Sequence, residues 1–141
     1  MNTAIISLGS NIRPKTNMAK AKIILKKEFE VLMETEPIFT KPLVFRDQAD
    51  FLNSAMLIQT KMSFAETEKR LKEIEKNDLK RVKKAGIKAG PRTIDIDILV
   101  WNSAVKRKEV FEWEFLKKEV KELVPLLEKE LGKKMVWAKN L

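Results

Sequence analysis

Gly90-Pro91-Arg92-Thr93-Ile94-Asp95-Ile96-Asp97-Ile98-Leu99 is the stretch on which the reading of this chain turns. From Thr93 to Trp101 polar and apolar residues alternate for six positions before the run becomes wholly apolar, the pattern of a half-buried strand entering a core. Alternate side chains of a strand share a face, so Asp95 and Asp97 point one way and Ile94, Ile96 and Ile98 the other. Their Cα atoms then lie about 6–7 Å apart, from roughly 3.3 Å per residue, close enough for both carboxylates to converge on one or two metal ions. The plainer alternative is a strand with its polar face in water. Against it, Asp is depleted in strands, and two of the five Asp residues of the chain sit here. Side-by-side carboxylates also repel unless something positive lies near, and Arg92 could supply that charge or grip a phosphate as a bidentate fork.

Outward from this strand, the remaining segments give an element order. Ala4-Ile5-Ile6-Ser7-Leu8 reads as a buried strand that stops at a Gly9-Ser10-Asn11 turn. Met18, Ala21, Ile24 and Leu25 recur at helical spacing with lysines opposite, and Glu28 to Thr40 shifts to a strand bent or interrupted near Pro37. Lys41 to Asp50 reads as a loop, and Phe51 to Thr60 as a strand with Asn53, Ala55, Leu57 and Gln59 on one face. Ser63-Phe64-Ala65-Glu66 has the form of a capping box, opening a helix that carries Leu71, Ile74 and Glu75. A basic stretch, Lys80 to Lys88, follows and reads as a surface loop closed by Gly90-Pro91. Strand, helix, strand, strand, helix, strand is the split βαβ plan of a ferredoxin-like α+β sandwich, expected here as one domain over residues 1–141. Phe115, Leu116, Val120, Leu123 and Val124 suit an additional C-terminal helix, with Pro125 placed to restart one and Gly132 to end it.

Composition narrows the chemistry. The chain has 141 residues, 44% hydrophobic, with no Cys and no His, so thiolate or imidazole zinc sites, Cys nucleophiles and His triads are excluded. A metal would have to be held by oxygen, which favours a hard ion such as Mg²⁺. Lys and Arg number 29 against 20 Asp and Glu, and the resulting +9 suits phosphate-bearing partners or, more plainly, a Lys/Glu-rich solvated surface. No run approaches the roughly 18 apolar residues of a membrane span. The N-terminus lacks a secretory pattern, so a cytoplasmic protein, free of the membrane and monomeric, is the expectation.

The run Lys88 to Leu99, with Gly90, Pro91, Arg92, Asp95 and Asp97, resembles the signature of the 6-hydroxymethyl-7,8-dihydropterin pyrophosphokinase family of folate synthesis. The likeness extends in order through Gly9-Ser10-Asn11, Thr40, Pro42, Leu43, Phe51-Leu52-Asn53-Ser54-Ala55, Ile74-Glu75 and Arg81-Val82-Lys83. It implies diphosphate transfer from ATP to the hydroxymethyl group of the pterin, releasing AMP. By the same resemblance Asp95 and Asp97 bind two Mg²⁺ ions. Arg81, Arg92 and Lys83 neutralise the phosphates, Glu75 belongs to the nucleotide site, and the Ile98 backbone lies near adenine. Asn53 reads the pterin's polar edge with main-chain groups around Thr40 and Leu43, and Phe51 stands beside the pterin pocket. The basic loop from Lys80 to Ala89 is expected to close over ATP.

The chain departs from the pattern after the acidic strand. Phe111-Glu112-Trp113-Glu114-Phe115 occupies the place of a His-containing segment, and Glu119 and Lys121 stand where the family has Arg and Phe. Trp101, Trp113 and Trp137 read as packing residues. Two alternatives therefore stay open: a diverged member with altered substrate or nucleotide binding only, and a basic ferredoxin-like RNA-binding module.

Overall fold

In a computed structural model the described residues are 1–79 and 91–141. Their elements are β1 (Asn2–Ser10), α1 (Pro14–Glu28), β2 (Glu30–Glu34), β3 (Ile38–Thr40), β4 (Phe51–Thr60), α2 (Phe64–Glu73), β5 (Asp95–Trp101), β6 (Ala104–Val105) and α3 (Glu114–Leu131). Short 3-10 turns cover Lys108–Phe111 and Val136–Asn140, and a π turn covers Ile74–Asp78. The class is α+β, with an antiparallel sheet ordered β2-β4-β1-β5-β6 and β3 paired to β4 beside β2.

The expected strand from Glu28 to Thr40 is two strands on one edge of β4. Thr35 holds the break: its N–H donates to the Ala55 carbonyl at 2.9 Å, and its Oγ1 accepts the Ala55 N–H at 2.9 Å. β1 does not stop at Gly9, because it lies between β4 and β5 and both ladders run through that residue, with Gly9 opposite Asn53 and Asp95. A Cβ on Gly9 would meet Asn53 Oδ1 at 3.2 Å, so the glycine admits that side chain closely. Ser63 caps α2 by the expected reciprocal box, its Oγ accepting the Glu66 N–H while Glu66 accepts the Ser63 N–H. α3 does not restart at Pro125 but runs through it and ends at Gly132 in the left-handed region, φ 70°. Pro125 and Lys121, whose carbonyl loses its helical donor, both face solvent, where water can replace the bond.

The sheet is covered on both faces. Ile6, Leu8, Met56, Ile58, Ile94, Ile96 and Ile98 pack with Met18, Ala21 and Leu25 of α1 and Leu71 of α2. Ile5, Leu57, Leu99 and Val100 pack on the other face with Leu116, Val120, Leu123 and Leu127 of α3. Among the described residues no helix is long and apolar enough to cross a membrane.

Candidate active site

Toward one end of the α3 face the sheet's inward residues become small or polar. Two rows cross the three central strands: Asn53, Gly9 and Asp95, then Ala55, Ser7 and Asp97. Ser7, Gly9 and Ala55 leave room that large side chains fill farther along, where Ile5, Leu57 and Leu99 begin the core. The result is a cavity of about 180 Å³ that takes in Asn53, Asp95 and Asp97 from the sheet. Thr40, Leu43, Gln48 and Phe51 also line it, as do Arg92, Arg107, Trp113 and Phe115.

Asp95 and Asp97 share the cavity face, with Ile94, Ile96 and Ile98 in the core behind them. Each carboxylate is faced by cations: Arg92 Nε lies 3.6 Å from Asp95, while Lys72 Nζ and the Arg107 guanidinium lie 3.1 and 3.5 Å from Asp97. The Asn53 amide donates to Thr40 Oγ1 at 2.6 Å, so the loop-side and strand-side residues of the substrate reading meet. Phe51 and Leu43 reach the same wall. Arg81 and Lys83, and the whole basic loop, lie outside the described residues.

Glu75 does not line this cavity. It is fully buried beneath β5, where its Oε2 accepts the Ile96 N–H at 3.1 Å and Lys72 Nζ at 2.8 Å. Burial raises its pKa above the ordinary carboxylate value, against the pull of Lys72. Lys72 also donates to the Ile96 carbonyl at 2.9 Å, so a glutamate and a lysine complete the edge of β5 that β6 does not reach. Burial works against the Lys72 charge, but Asp97 and Glu75 outweigh it and hold its pKa above the usual value. Past this pair a second cavity, of about 80 Å³, opens along the edge at Ile98, between Phe64, Lys106 and Arg107. Because ladder groups alternate in direction, the Ile98 N–H and carbonyl face the same side as those of Ile96. Asp97 and Arg107 line both cavities and stand where the two meet.

Sequence reasoning missed Arg107, Glu109, Gln48 and Trp113. Arg107 bridges Asp97 and Glu109, and both Arg107 and Glu109 line the larger cavity. Trp113, read as a packing residue, lines that cavity and stacks on Phe115 at 5.9 Å. Trp101 and Trp137 do pack, edge-on to Phe64 and Phe111. No local spacing signals Trp113, since the β5–β6 hairpin and the start of α3 bring it back over the sheet.

Fold and cavity together define an α+β protein with a largely apolar cleft at one end of an antiparallel sheet, where paired acids, several cations and aromatic rings meet. A sequence profile of the 7,8-dihydro-6-hydroxymethylpterin-pyrophosphokinase family matches residues 5–125, and the chain belongs to that family. Relatives named 2-amino-4-hydroxy-6-hydroxymethyldihydropteridine pyrophosphokinase include one from Campylobacter jejuni, 34% identical over 74% of this chain and 66% of its own length. One from Bacillus subtilis is 36% identical over 72% of this chain and 60% of its own length, and one from Aquifex aeolicus 31% over 92% and 81%. The matched stretch thus spans less than two thirds of the first two relatives.

Proposed function

We propose that the chain transfers diphosphate from ATP to the hydroxymethyl group of 6-hydroxymethyl-7,8-dihydropterin, releasing AMP. The observation that carries this reading is the shared cavity: Asp95 and Asp97 stand across β1 from Asn53, two strands away, and Thr40, Leu43 and Phe51 line the same space. Acids that suit a metal–phosphate complex and an amide that suits a heterocycle's polar edge thus open on one space. The sheet order with its two crossover helices supports a ferredoxin-like βαββαβ unit, extended by α3.

The pterin end would use the Asn53 amide for the ring's polar edge and the faces of Phe51 and Trp113 for its flat surface. Arg92 and Arg107, with Arg81 and Lys83 by family likeness, would neutralise the phosphates. The Ile98 main chain at the second cavity offers one donor and one acceptor to adenine. Asp95 and Asp97 fit hard divalent cations, and we assign two Mg²⁺ to them. Among the described residues no three His, Cys, Asp or Glu side chains could hold an ion alone, so phosphate oxygens and water would complete the coordination. When bound, such ions supply Lewis acidity and a template for the phosphates. The substrate hydroxyl oxygen bonds to the β-phosphorus as its proton passes to water, the bond from that phosphorus to the α–β bridging oxygen breaks, and AMP departs. The protein's part is positioning and charge balance, consistent with a chain that has no His.

An RNA-binding reading finds little support, because Asp95 and Asp97 on the open face of β5 would repel a nucleic-acid backbone. Incubation with ATP, Mg²⁺ and the dihydropterin is expected to yield AMP and the pterin diphosphate. ADP would identify a different phosphoryl transfer, and binding without product a diverged member.

A further inference from the structure

The two ends of the cavity come from segments far apart in the chain, and one side chain outside the cavity ties them together. Asn11 follows β1 and is 7% exposed. Its Oδ1 accepts the Arg92 N–H at 2.8 Å, and the Asn11 and Ile12 N–H groups donate to the Arg92 carbonyl at 3.1 and 3.2 Å. The peptide of Arg92 is therefore held at both its N–H and its carbonyl. The Asn11 Nδ2 donates to Gln48 Oε1 at 2.8 Å and to the Ala49 carbonyl at 3.0 Å. One amide thus spends its acceptor on the phosphate side of the cavity and its donors on the segment that carries Leu43 and Gln48.

We infer that Asn11 is a positioning residue that sets the Arg92 guanidinium and the substrate-side segment 41–50 in one register. The inference rests on the pyrophosphokinase reading, and it assigns Asn11 no contact with either substrate. The chemistry of the link allows it to be cut at one end. Asp at this position keeps an acceptor for the Arg92 N–H and loses both donors. Gln48 cannot turn its own amide to compensate without breaking the bond from its Nε2 to the Phe45 carbonyl, 2.5 Å. The Ala49 carbonyl would in addition face a carboxylate. Ala at this position removes the side-chain link to both segments.

The test is steady-state AMP release with ATP and the dihydropterin varied separately, alongside thermal melting of each protein. With two neutral hydrogen bonds lost, Asn11→Asp is expected to raise KM for the pterin about tenfold and to leave KM for ATP within about threefold. Asn11→Ala is expected to raise both. A general loosening of the fold would move the two constants together in Asn11→Asp, so the split separates positioning from scaffolding. The comparison of Asn11→Asp with the parent suffices if Asn11→Ala does not fold. Asn11→Asp with an unchanged pterin KM, or with both constants shifted alike, overturns the inference. A parent protein that forms no AMP overturns the activity reading, and this inference with it, before any variant is compared.

Discussion

Asp95 and Asp97 occupy equivalent places on one strand face, yet they are held differently. Asp95 has Arg92 of the preceding segment at 3.6 Å, whereas Asp97 meets Lys72 from the end of α2 and Arg107 from just after β6. Both carboxylates open on the cavity, and removing the charge of either takes away an oxygen donor for a divalent cation. Asp95→Asn and Asp97→Asn are each expected to lower kcat by at least about a hundredfold, the scale of several kcal/mol associated with a metal's part in charge stabilisation. The two differ in a second respect. Asp97→Asn leaves Lys72 and Arg107 facing one another with less negative charge between them, so added Mg²⁺ is expected to restore less activity than in Asp95→Asn. A magnesium titration of initial rate for both variants checks this, and near-parental turnover in either one sinks the metal assignment.

At the scale of elements, the free edge of β5 is completed by side chains rather than by a strand. Glu75 accepts the Ile96 N–H, Lys72 donates to the Ile96 carbonyl, and the two pair with each other at 2.8 Å. Glu75→Ala would leave a buried backbone donor without that acceptor and the Lys72 ammonium short of one partner. Lys72 is partly exposed, which discounts the ionic share, so a loss of about 2–3 kcal/mol is expected in urea denaturation. Glu73→Ala, two residues earlier, half-buried and only loosely paired with Arg70 at 3.7 Å, is expected to stay within about 0.5 kcal/mol. A loss that small for Glu75→Ala would mean that water or another group serves the edge equally well.

Elements of this kind were legible in the sequence where periodicity speaks for itself. Alternation gave β5 and the facing of its two aspartates, Ser63 and Glu66 gave the start of α2, and Pro37 gave the break between β2 and β3. The sequence shows Glu75 only as one more charge on a helix, because its burial depends on a π turn swinging it under an unpaired strand edge. Gly9 likewise reads as a turn from its neighbours, yet the two flanking strands carry it through the sheet. Trp113, Arg107 and Gln48 reach the cavity by way of the start of α3, the segment after the hairpin and the loop before β4, and none of those paths leaves a local pattern. The family likeness supplied Asn53, with main-chain groups around Thr40 and Leu43, and the 2.6 Å hydrogen bond between the Asn53 and Thr40 side chains is a fact of the fold that spacing alone could not give.

Over the whole molecule, the α3 face of the sheet buries one group that ties stability to pH. Glu119 is 3% exposed, between α3 and the break in the edge strand; among the described residues the Thr35 hydroxyl alone approaches one oxygen, at 3.5 Å, and the other has no hydrogen-bond partner. Desolvation raises its pKa from 4.5 to about 8, opposed by Thr35 and by the more distant Lys22 and reinforced by Glu122. The sign follows from proton counting. Below the unfolded value of 4.5 the carboxyl is protonated in both states and folding carries no penalty from it. Between 4.5 and about 8 the unfolded chain releases a proton that the folded chain keeps, so stability falls as pH rises. Above that window both states are ionised and the penalty stays constant, at a few kcal/mol for a shift of this size. Glu34 works on the other side: its pKa is lowered by Lys22 and Lys26, so its contribution is present at neutral pH and lost toward acid, outside this window. Glu119→Gln, which is neutral at every pH, is therefore expected to match the parent near pH 4.5 and to exceed it by a few kcal/mol near pH 9. Urea midpoints of the two proteins across that range make the comparison, and curves that run parallel throughout would show that Glu119 ionises in the folded chain much as it does in water.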